Sequence, residues 1–370
     1  MNITVIGAGA WGTALAISFS ANHRVTLWAR DAAQIEAMRA TRRNQRYLPH
    51  IPLPDNLGLS ADFSAALSGV ELAIIAVPAA ALRPTLQQLA LTGRRIDVVW
   101  VCKGFEAETS LLPHQVAAEV LPEGFSRGVL SGPSFAQEVA RGLPTALTLA
   151  SDDEEFARRA AQVLHHARLR MYASNDVVGV EVGGAVKNVM AIAAGICDGM
   201  GLGYNARAAL LTRGLAEITR LGLKLGGRPE TLSGLSGTGD LILTCTSDLS
   251  RNRQVGLLLV QQHELPDILH RLGHVAEGVY TVREVHRLAQ RLGVAMPICD
   301  AVYRVLYEQL PAASAVEALL NRAPNAEFGY IDERVKNRVA DFAQPSIPVP
   351  RSCESALPPR LEYHHGYRIR

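Results

Sequence analysis

The sequence predicts an α/β domain at the amino-terminal end of the chain and an all-α domain after it. In residues 1–175, short apolar runs alternate with stretches of helical periodicity, the pattern of a parallel sheet with crossover helices. From about Asp176 the apolar runs disappear, and long helical patterns follow to about residue 326. At 370 residues the chain is long enough for two domains with separate cores.

Six apolar runs are predicted to form the strands of the sheet, and they occupy residues 3–6, 24–28, 72–77, 97–102, 128–130 and 146–149. The helices predicted for the second domain, residues 176–326, occupy residues 176–200, 206–223, 277–292, 296–307 and 313–321. After that domain the periodicity ends, and frequent prolines predict a flexible tail over residues 327–370.

A glycine-rich turn, GAGAWG at residues 7–12, follows the first strand at once and opens into a helix of small residues. In this context Gly7 permits a tight turn, Gly9 lets a pyrophosphate approach the backbone, and Gly12 lets helix and strand pack closely. The free N–H groups at the helix start would then hold the phosphates. The turn predicts a dinucleotide site, and the alternative is a glycine-rich turn in an ordinary βα unit.

The end of the second strand bears on which dinucleotide is bound. NAD-selective folds usually place a carboxylate there for the ribose 2′-hydroxyl, but this chain has Ala29 followed by Arg30. An arginine can pair with a 2′-phosphate, so NADPH is favoured over NADH. The alternative for Arg30 is a solvated loop cation. Asp31 is expected to cap the helix at residues 32–40.

Composition and charge argue against several other classes of protein. The net charge is +2 and no basic stripe with aromatic residues occurs, which argues against nucleic-acid binding. No uninterrupted apolar run reaches the roughly 18 residues of a membrane span, and the chain begins directly with a strand, so no targeting peptide is expected. The five cysteines lack metal-ligand spacing, which predicts reduced thiols in a cytoplasmic protein and no metal site.

Two lysines stand where chemistry is expected. Lys103 follows a strand at the carboxyl edge of the predicted sheet, where open α/β sheets bind ligands; it is either a ligand contact or a surface cation. Lys187 lies with Asn188 in an otherwise apolar helix of small residues. Burial lowers the pKa of a lysine and suits it to exchange a proton with a substrate oxygen. The alternative for Lys187 is a helix-edge lysine whose ammonium group reaches water.

Two further motifs carry polar groups in the helical part. Asp240 ends a glycine-rich turn, where it either caps the following helix or orients Lys187. Ser250, Arg251 and Asn252 stand at a predicted helix start. They combine N–H donors, a guanidinium group and side-chain donors, which suit a phosphate dianion. The alternative for these three residues is an exposed basic helix cap.

Taken in order, seven segments of the chain resemble the bacterial NAD(P)-dependent glycerol-3-phosphate dehydrogenases. The segments are GAGAWG (7–12), NQRYLP (44–49), CKGFE (102–106), SGPSFAQEV (131–139), GGAVKNVMAIAAG (183–195), GLSGTGDLILTC (234–245) and SRNRQVG (250–256). The resemblance implies a Rossmann-type amino-terminal domain, an all-α carboxyl-terminal domain and an active site between them. It also implies reversible reduction of dihydroxyacetone phosphate to sn-glycerol 3-phosphate for glycerophospholipid biosynthesis. Members of the family are commonly homodimers.

The same resemblance implies roles for individual residues. Lys187 is the catalytic proton donor to the new alkoxide, and the acceptor in reverse. The residues implied at the substrate are Lys103, Gly132, Ser134, Lys187, Asp240, Ser250, Arg251 and Asn252. Besides the three glycines of the turn, the residues implied at the cofactor are Trp11, Arg30, Lys103, Ala136, Arg251, Val275 and Glu277. Asn188 and Thr244 are implied as supporting donors.

Two other functions are compatible with part of the sequence. One is a related two-domain dehydrogenase that acts on a hydroxy acid or a sugar-acid phosphate; the cluster at residues 250–252 favours a phosphate ester. The other is a dinucleotide sensor without turnover; Lys187, the lysine in an apolar helix, and the acid Asp240 together argue against it. A panel of substrates would distinguish the related dehydrogenase from a glycerol-3-phosphate dehydrogenase. An NADPH absorbance assay would distinguish an enzyme from a sensor without turnover.

Overall fold

The structure is a computed structural model that describes residues 1–273 and 276–322, and residues 1–322 form one compact unit. The predicted tail at residues 327–370 lies outside the described residues. The described part of the chain contains these ten strands: β1 (Asn2–Ile6), β2 (Arg24–Trp28), β3 (Arg43–Asn44), β4 (Leu48–Pro52), β5 (Gly58–Ser60), β6 (Leu72–Ile75), β7 (Asp97–Trp100), β8 (Arg127–Ser131), β9 (Thr145–Ala150) and β10 (Leu169–Ser174).

Eight strands form one sheet in the order β10-β9-β8-β7-β6-β1-β2-β5, which is parallel except where β8 meets β9. The first strand, β1, pairs with β2 on one side and with β6 on the other. The chain therefore adds strands first in one direction and then in the other, and the carboxyl ends of β1 and β6 flank a crevice. Strands β3 and β4 form a separate antiparallel hairpin.

Seven helices accompany the sheet: α1 (Ala10–Phe19), α2 (Ala32–Thr41), α3 (Phe63–Ala66), α4 (Leu82–Ala90), α5 (Pro113–Val120), α6 (Ala136–Ala140) and α7 (Glu154–Leu164). After Asp176 the described residues contain no strand, and the helices are α8 (Val177–Gly199), α9 (Gly203–Lys224), α10 (Pro229–Ser233), α11 (Asp240–Thr246), α12 (Arg251–Val260), α13 (Leu265–Leu272), α14 (Glu277–Leu292), α15 (Pro297–Tyr307) and α16 (Ala312–Leu320). A 3₁₀ turn at Ala79–Ala81 precedes α4, and a π-helical turn at Leu235–Gly239 precedes α11.

The predicted fold class, α/β followed by all-α, is confirmed. Strands β1, β2, β6, β7, β8 and β9 are the six that the sequence predicts, although β6 and β7 each end two residues early, at Ile75 and Trp100. Asp31 caps α2 as expected, because its side chain accepts hydrogen bonds from two backbone N–H groups of the first turn. The change from alternating strands and helices to helices alone occurs at Asp176, which caps α8. The division into domains at residues 1–175 and 176–326 stays a prediction.

Helix α8 is the centre of the helical part and is buried from Gly179 to Cys197. By length and mean hydropathy it resembles a membrane-spanning helix, but 94% of its most apolar 18-residue window is buried inside the protein. A core helix of a globular protein meets the same criteria. The other helices of this part, α9, α11, α12, α14 and α15, pack around it, and their apolar side chains complete one core with its own.

Small residues on α8 let its neighbours approach to backbone contact. A Cβ atom on Gly183 would lie 2.5 Å from the carbonyl oxygen of Ser236, in the π-helical turn. A Cβ atom on Gly195 would lie 2.0 Å from the carbonyl oxygen of Arg253, in α12. These distances are shorter than any side chain tolerates, so glycine is required at both positions. The turn that leads to α11 and the first turns of α12 are thereby held directly on α8.

Candidate active site

A cleft of about 920 Å³ opens at the carboxyl edge of the sheet. One wall consists of the glycine turn after β1 and the residues that follow β6 and β7. The opposite wall consists of α8, the segment between α11 and α12, and the starts of α12 and α14. The cleft therefore lies at the point where the strand order reverses, where open α/β sheets bind ligands.

The glycine turn has the geometry that a bound pyrophosphate requires. Gly7 has a φ of +116°, and a Cβ atom there would lie 2.5 Å from the carbonyl oxygen of Ala76. A Cβ atom on Gly12 would lie 1.9 Å from the carbonyl oxygen of Gly7, so helix α1 packs directly on the turn. At Gly9 an added Cβ atom would meet nothing within 4 Å, and this residue lines the cleft. Helix α1 has no side-chain cap, which leaves its first N–H groups for an anion, and these features fit a dinucleotide.

A buried carboxylate joins the two predicted lysines. Lys103 donates a hydrogen bond from Nζ to Oδ2 of Asp240 at 2.5 Å, and lies 3.4 Å from the carbonyl oxygen of Gly132. Lys187 donates to the other carboxylate oxygen, Oδ1 of Asp240, and to Oγ1 of Thr244 at 2.8 Å. Asp240 is the first residue of α11 rather than its cap. Of the two interpretations of this acid, the geometry therefore favours the one in which it orients Lys187.

Burial changes the proton affinity of Lys187, which is only 6% exposed. Burial lowers its pKa to about 7, the charge of Asp240 opposes that change, and the charge of Lys103 adds to it. Lys187 also lines the cleft. An ammonium group that loses its proton near neutral pH and faces a ligand site can act as a general acid and, once neutral, as a general base.

The start of α12 offers donors to an anion. Ser250 caps this helix by accepting a hydrogen bond from the backbone N–H of Arg253, and Arg251 presents its side chain at the cleft. The amide of Asn252 is largely used within the protein, since Nδ2 donates to Oδ1 of Asn188 at 3.0 Å and Oδ1 accepts from the N–H of Gly278 at 3.0 Å. Asn252 thus keeps one side-chain N–H for a ligand and fixes Asn188 and the start of α14.

Four other predicted residues also line the cleft: Trp11, Ser134, Ala136 and Glu277. The hydroxyl of Ser134 donates to the carbonyl oxygen of Gly132 at 3.0 Å. Burial raises the pKa of Glu277 to about 7, and the nearby charge of Arg251 acts in the opposite direction. The start of α14 therefore brings a carboxyl group that can exchange its proton near neutral pH, that of Glu277, to the same cleft as the guanidinium group of Arg251 at the start of α12.

Not every predicted residue lies on the cleft surface. Gly12 and Gly132 lie behind it and shape the turns, and Asp240 lies behind the two lysines. Arg30 is exposed at the end of β2 and is absent from the cleft lining as far as the described residues define it. Val275 lies outside the described residues. Contacts of Arg30 and Val275 with a cofactor stay predictions.

The hairpin of β3 and β4 contributes residues to which sequence reasoning assigns no role. Arg46 and Tyr47 line the cleft, and the guanidinium carbon of Arg46 lies 5.3 Å from the centre of the Tyr47 ring. Asn44, from the same hairpin, donates to the carbonyl oxygen of Ala8 and to Oγ1 of Thr13, and so supports the glycine turn. The segment NQRYLP carries a usable signal, because an arginine and a tyrosine together in a short polar segment suit a nucleotide.

Four cysteines lie in the described residues, and Cys102 is among the residues that line the cleft. Cys102, Cys197, Cys245 and Cys299 are buried and unpaired. Burial raises the pKa of Cys245 to about 12, which keeps it a thiol beside Lys187. Within residues 1–273 and 276–322 no group of three or more potential ligands could hold a metal ion.

The parallel sheet, the glycine turn at the reversal of its strand order, and the buried lysine across the cleft define a Rossmann-type NAD(P)-dependent dehydrogenase. The family model of the NAD-dependent glycerol-3-phosphate dehydrogenase N-terminus matches residues 2–157, and that of the C-terminus matches residues 176–317. The chain belongs to the NAD-dependent glycerol-3-phosphate dehydrogenase family.

Similar proteins agree with this assignment. The glycerol-3-phosphate dehydrogenases of Thiobacillus denitrificans and Dechloromonas aromatica are 62% and 60% identical to the chain over 328 residues, which is 89% of this chain and 100% of each relative. The crystal structure of glycerol-3-phosphate dehydrogenase from Coxiella burnetii superimposes with a TM-score of 0.83 at 42% identity. That match covers 87% of this chain and 99% of the other.

Proposed function

We propose that the protein is an NAD(P)-dependent sn-glycerol-3-phosphate dehydrogenase that reversibly reduces dihydroxyacetone phosphate to sn-glycerol 3-phosphate for glycerophospholipid biosynthesis. The observation that carries the proposal is the buried ammonium group of Lys187, which Asp240 holds on the cleft wall opposite the glycine turn. Family membership and the names of the relatives support the substrate.

A nicotinamide cofactor held by the glycine turn would supply the hydride that C2 of the ketone accepts in the proposed reaction. Lys187 donates a proton to the ketone oxygen as negative charge develops there, and the product is a neutral hydroxyl group. In the reverse direction neutral Lys187 accepts that proton. Its pKa of about 7 allows both roles near neutral pH. Because Lys103 and Lys187 share the charge of a single carboxylate, Asp240, protonation of both lysines leaves net positive charge beside the developing alkoxide.

The phosphate group of the substrate is proposed to bind at the start of α12. Arg251 would pair with two phosphate oxygens, and the free N–H groups of the first helical turn would bind the third. The phosphate lies away from the reacting carbon, so this contact positions the ketone rather than stabilising the transition state directly. A phosphate ester is therefore preferred over a hydroxy acid, the alternative substrate class.

NADPH is the proposed preferred cofactor, because Arg30 rather than a carboxylate follows β2. Trp11, Ala136, Val275 and Glu277 are proposed cofactor contacts; Trp11, Ala136 and Glu277 line the cleft, and Val275 lies outside the described residues. We also propose a cytoplasmic homodimer without a membrane span: the burial of α8 inside the protein supports the absence of a span, the unpaired thiols of the described cysteines support the compartment, and the family resemblance supports the dimer. Light scattering of the purified protein tests the dimer.

The test of the activity is NADPH oxidation, followed by absorbance, with dihydroxyacetone phosphate as the second substrate. We expect steady consumption of NADPH, slower consumption of NADH, and a much weaker reaction with dihydroxyacetone, which lacks the phosphate. If NADPH binds but is not consumed with any ketone, the protein is a dinucleotide sensor. If a hydroxy-acid precursor reacts faster than the phosphate ester, the alternative dehydrogenase is correct.

A further inference from the structure

Helix α8 carries a second buried ionisable group, Glu181, six residues before Lys187. Glu181 is 4% exposed, and it does not line the cleft. Its Oε1 accepts hydrogen bonds from Nε1 of Trp100 at 2.8 Å and from the backbone N–H of His114 at 2.9 Å. Its Oε2 contacts Nδ1 of His114 at 2.6 Å. A buried carboxylate is costly unless its oxygens are bonded, and here both are.

These contacts connect α8 with the part of the sheet that carries the other lysine. Trp100 is the last residue of β7, and Lys103 follows three residues later. His114 is the second residue of α5, the helix that follows the same loop. Glu181 is therefore hydrogen-bonded to both ends of the segment that contains Lys103, while the helix on which it lies also carries Lys187.

The two lysines depend on this relation between β7 and α8 because both must reach one carboxylate, that of Asp240. Lys103 comes from the end of the sheet, Lys187 from α8 and Asp240 from α11, and each ammonium group takes a different carboxylate oxygen. Helix α8 also packs on the stem of Lys103: a Cβ atom on Gly184 would lie 3.6 Å from its Cγ. A shift of α8 along its axis by about 1 Å would break one of the two ammonium contacts.

We propose that Glu181 is a positioning residue that keeps α8 in register with the end of β7, so that Lys187 and Lys103 both reach Asp240. The inference rests on the proposed function, since it concerns the proton transfer by Lys187. Asp240 and Lys103 are the charged groups that face Lys187 from the neighbouring elements, and the charge of Asp240 raises the pKa of Lys187. Because the turn that leads to α11 packs directly on α8, loss of register separates Lys103 from Asp240 rather than Lys187 from Asp240. The positive charge of Lys103 then lowers the pKa of Lys187 less, so this pKa rises and the enzyme keeps its proton donor to a higher pH.

The experiment compares Glu181→Met with Glu181→Gln. Methionine has a similar length but leaves the N–H groups of Trp100 and His114 without an acceptor. Glutamine keeps a carbonyl oxygen for both. In kcat/KM for ketone reduction against pH, we expect Glu181→Met to move the alkaline limb to a higher pH, by about 0.5 or more. The KM for NADPH should stay within about twofold, and Glu181→Gln should restore most of the wild-type profile.

Glu217→Met is the matched control for a purely structural effect. Glu217 is a buried carboxylate on α9 that accepts the N–H groups of Ile298 and Cys299, away from the cleft lining. This variant should have lower thermal stability, but the alkaline limb of its pH profile should stay at the wild-type pH. A milder second variant is His114→Ala, since His114 is partly exposed; it should move the alkaline limb in the same direction as Glu181→Met but by less. If Glu181→Met does not fold, His114→Ala alone tests the positioning role.

The outcomes separate this inference from the proposed function. If wild-type protein reduces dihydroxyacetone phosphate but the limb of Glu181→Met, or of His114→Ala in its place, coincides with the wild-type limb, the positioning role is wrong. If the Glu217→Met limb moves equally, the movement reports lost stability and the positioning role is again wrong. If wild-type protein reduces no ketone with NADPH, the proposed function fails and this inference fails with it.

Discussion

Replacing Asp240 by asparagine removes the negative charge that Lys103 and Lys187 both contact, while the shape of the side chain is kept. The 2.5 Å contact with Lys103 and the contact with Lys187 leave no room for water between these groups. In the variant, two ammonium groups face each other across a neutral amide. Both the loss of Asp240 and the remaining charge of Lys103 act on Lys187 in the same direction, toward a lower pKa.

An opposite charge at this range typically changes a pKa by about 1 to 3, so the pKa of Lys187 should fall from about 7 to between about 4 and 6. At a pH above the new pKa, a pKa lower by about 1 reduces the protonated fraction about tenfold, equivalent to about 1.4 kcal/mol. Reduction of dihydroxyacetone phosphate at pH 8 should therefore slow by about 10- to 1000-fold in kcat/KM. Because the equilibrium constant at a given pH fixes the ratio of the two directions, oxidation of sn-glycerol 3-phosphate should slow by the same factor when cofactor binding is unchanged.

The assay is initial-rate NADPH oxidation from pH 5 to 9, paired with NADP⁺ reduction by sn-glycerol 3-phosphate. Asp97→Asn is the matched control, because Asp97 begins β7 at the opposite edge of the sheet and pairs only loosely with Arg159, at 3.5 Å. A thermal melt and NADPH fluorescence confirm that both variants are folded and bind cofactor. If the limb of Asp240→Asn stays near pH 7, the acid that titrates is not Lys187, and the proposed mechanism is refuted.

Three other substitutions test the remaining groups. Lys187→Ala should lower turnover by about 100-fold or more while NADPH still binds, and near-normal kcat would remove Lys187 from the mechanism. Arg251→Ala should mainly raise the KM for dihydroxyacetone phosphate, because loss of the charged contact weakens substrate binding by about 2–3 kcal/mol. An equal loss of activity with dihydroxyacetone, which lacks the phosphate, would contradict a phosphate contact. Arg30→Ala should weaken NADPH about tenfold relative to NADH; an unchanged ratio of the two KM values would show that the 2′-phosphate binds elsewhere.

Apolar pattern predicts the centre of this sheet well and its edges poorly. Strand β6 is buried at every position, so its sequence LAII is continuous and easily recognised. The two edge strands escape prediction for different reasons. β5 has three residues and none is fully buried, while β10 alternates buried Leu169 and Met171 with exposed arginine and tyrosine. An edge strand is held on one side only, so its sequence need not be apolar throughout.

Local sequence identifies candidate residues in the site but not how they share partners. Lys103, Lys187 and Asp240 each keep an alternative interpretation at the level of sequence, because a lysine in an apolar helix or an acid after a glycine turn has ordinary explanations. Only the fold brings the two lysines to the carboxylate of Asp240, which is 137 positions from Lys103 in the sequence. Glu181 is not recognisable as a candidate, because a single glutamate in a helix carries no pattern that distinguishes a buried acceptor from an exposed one.

The glycines of α8 explain why the family resemblance extends over long segments rather than isolated residues. Gly183 admits the backbone of the turn that ends at Asp240, and Gly195 admits the backbone of the helix that begins at Arg251. Neither glycine lines the cleft, yet each fixes how far a charged group stands from Lys187. Proton transfer and phosphate binding both depend on separations of a few tenths of an ångström. A segment such as GGAVKNVMAIAAG therefore specifies the spacing of the site as well as its lysine.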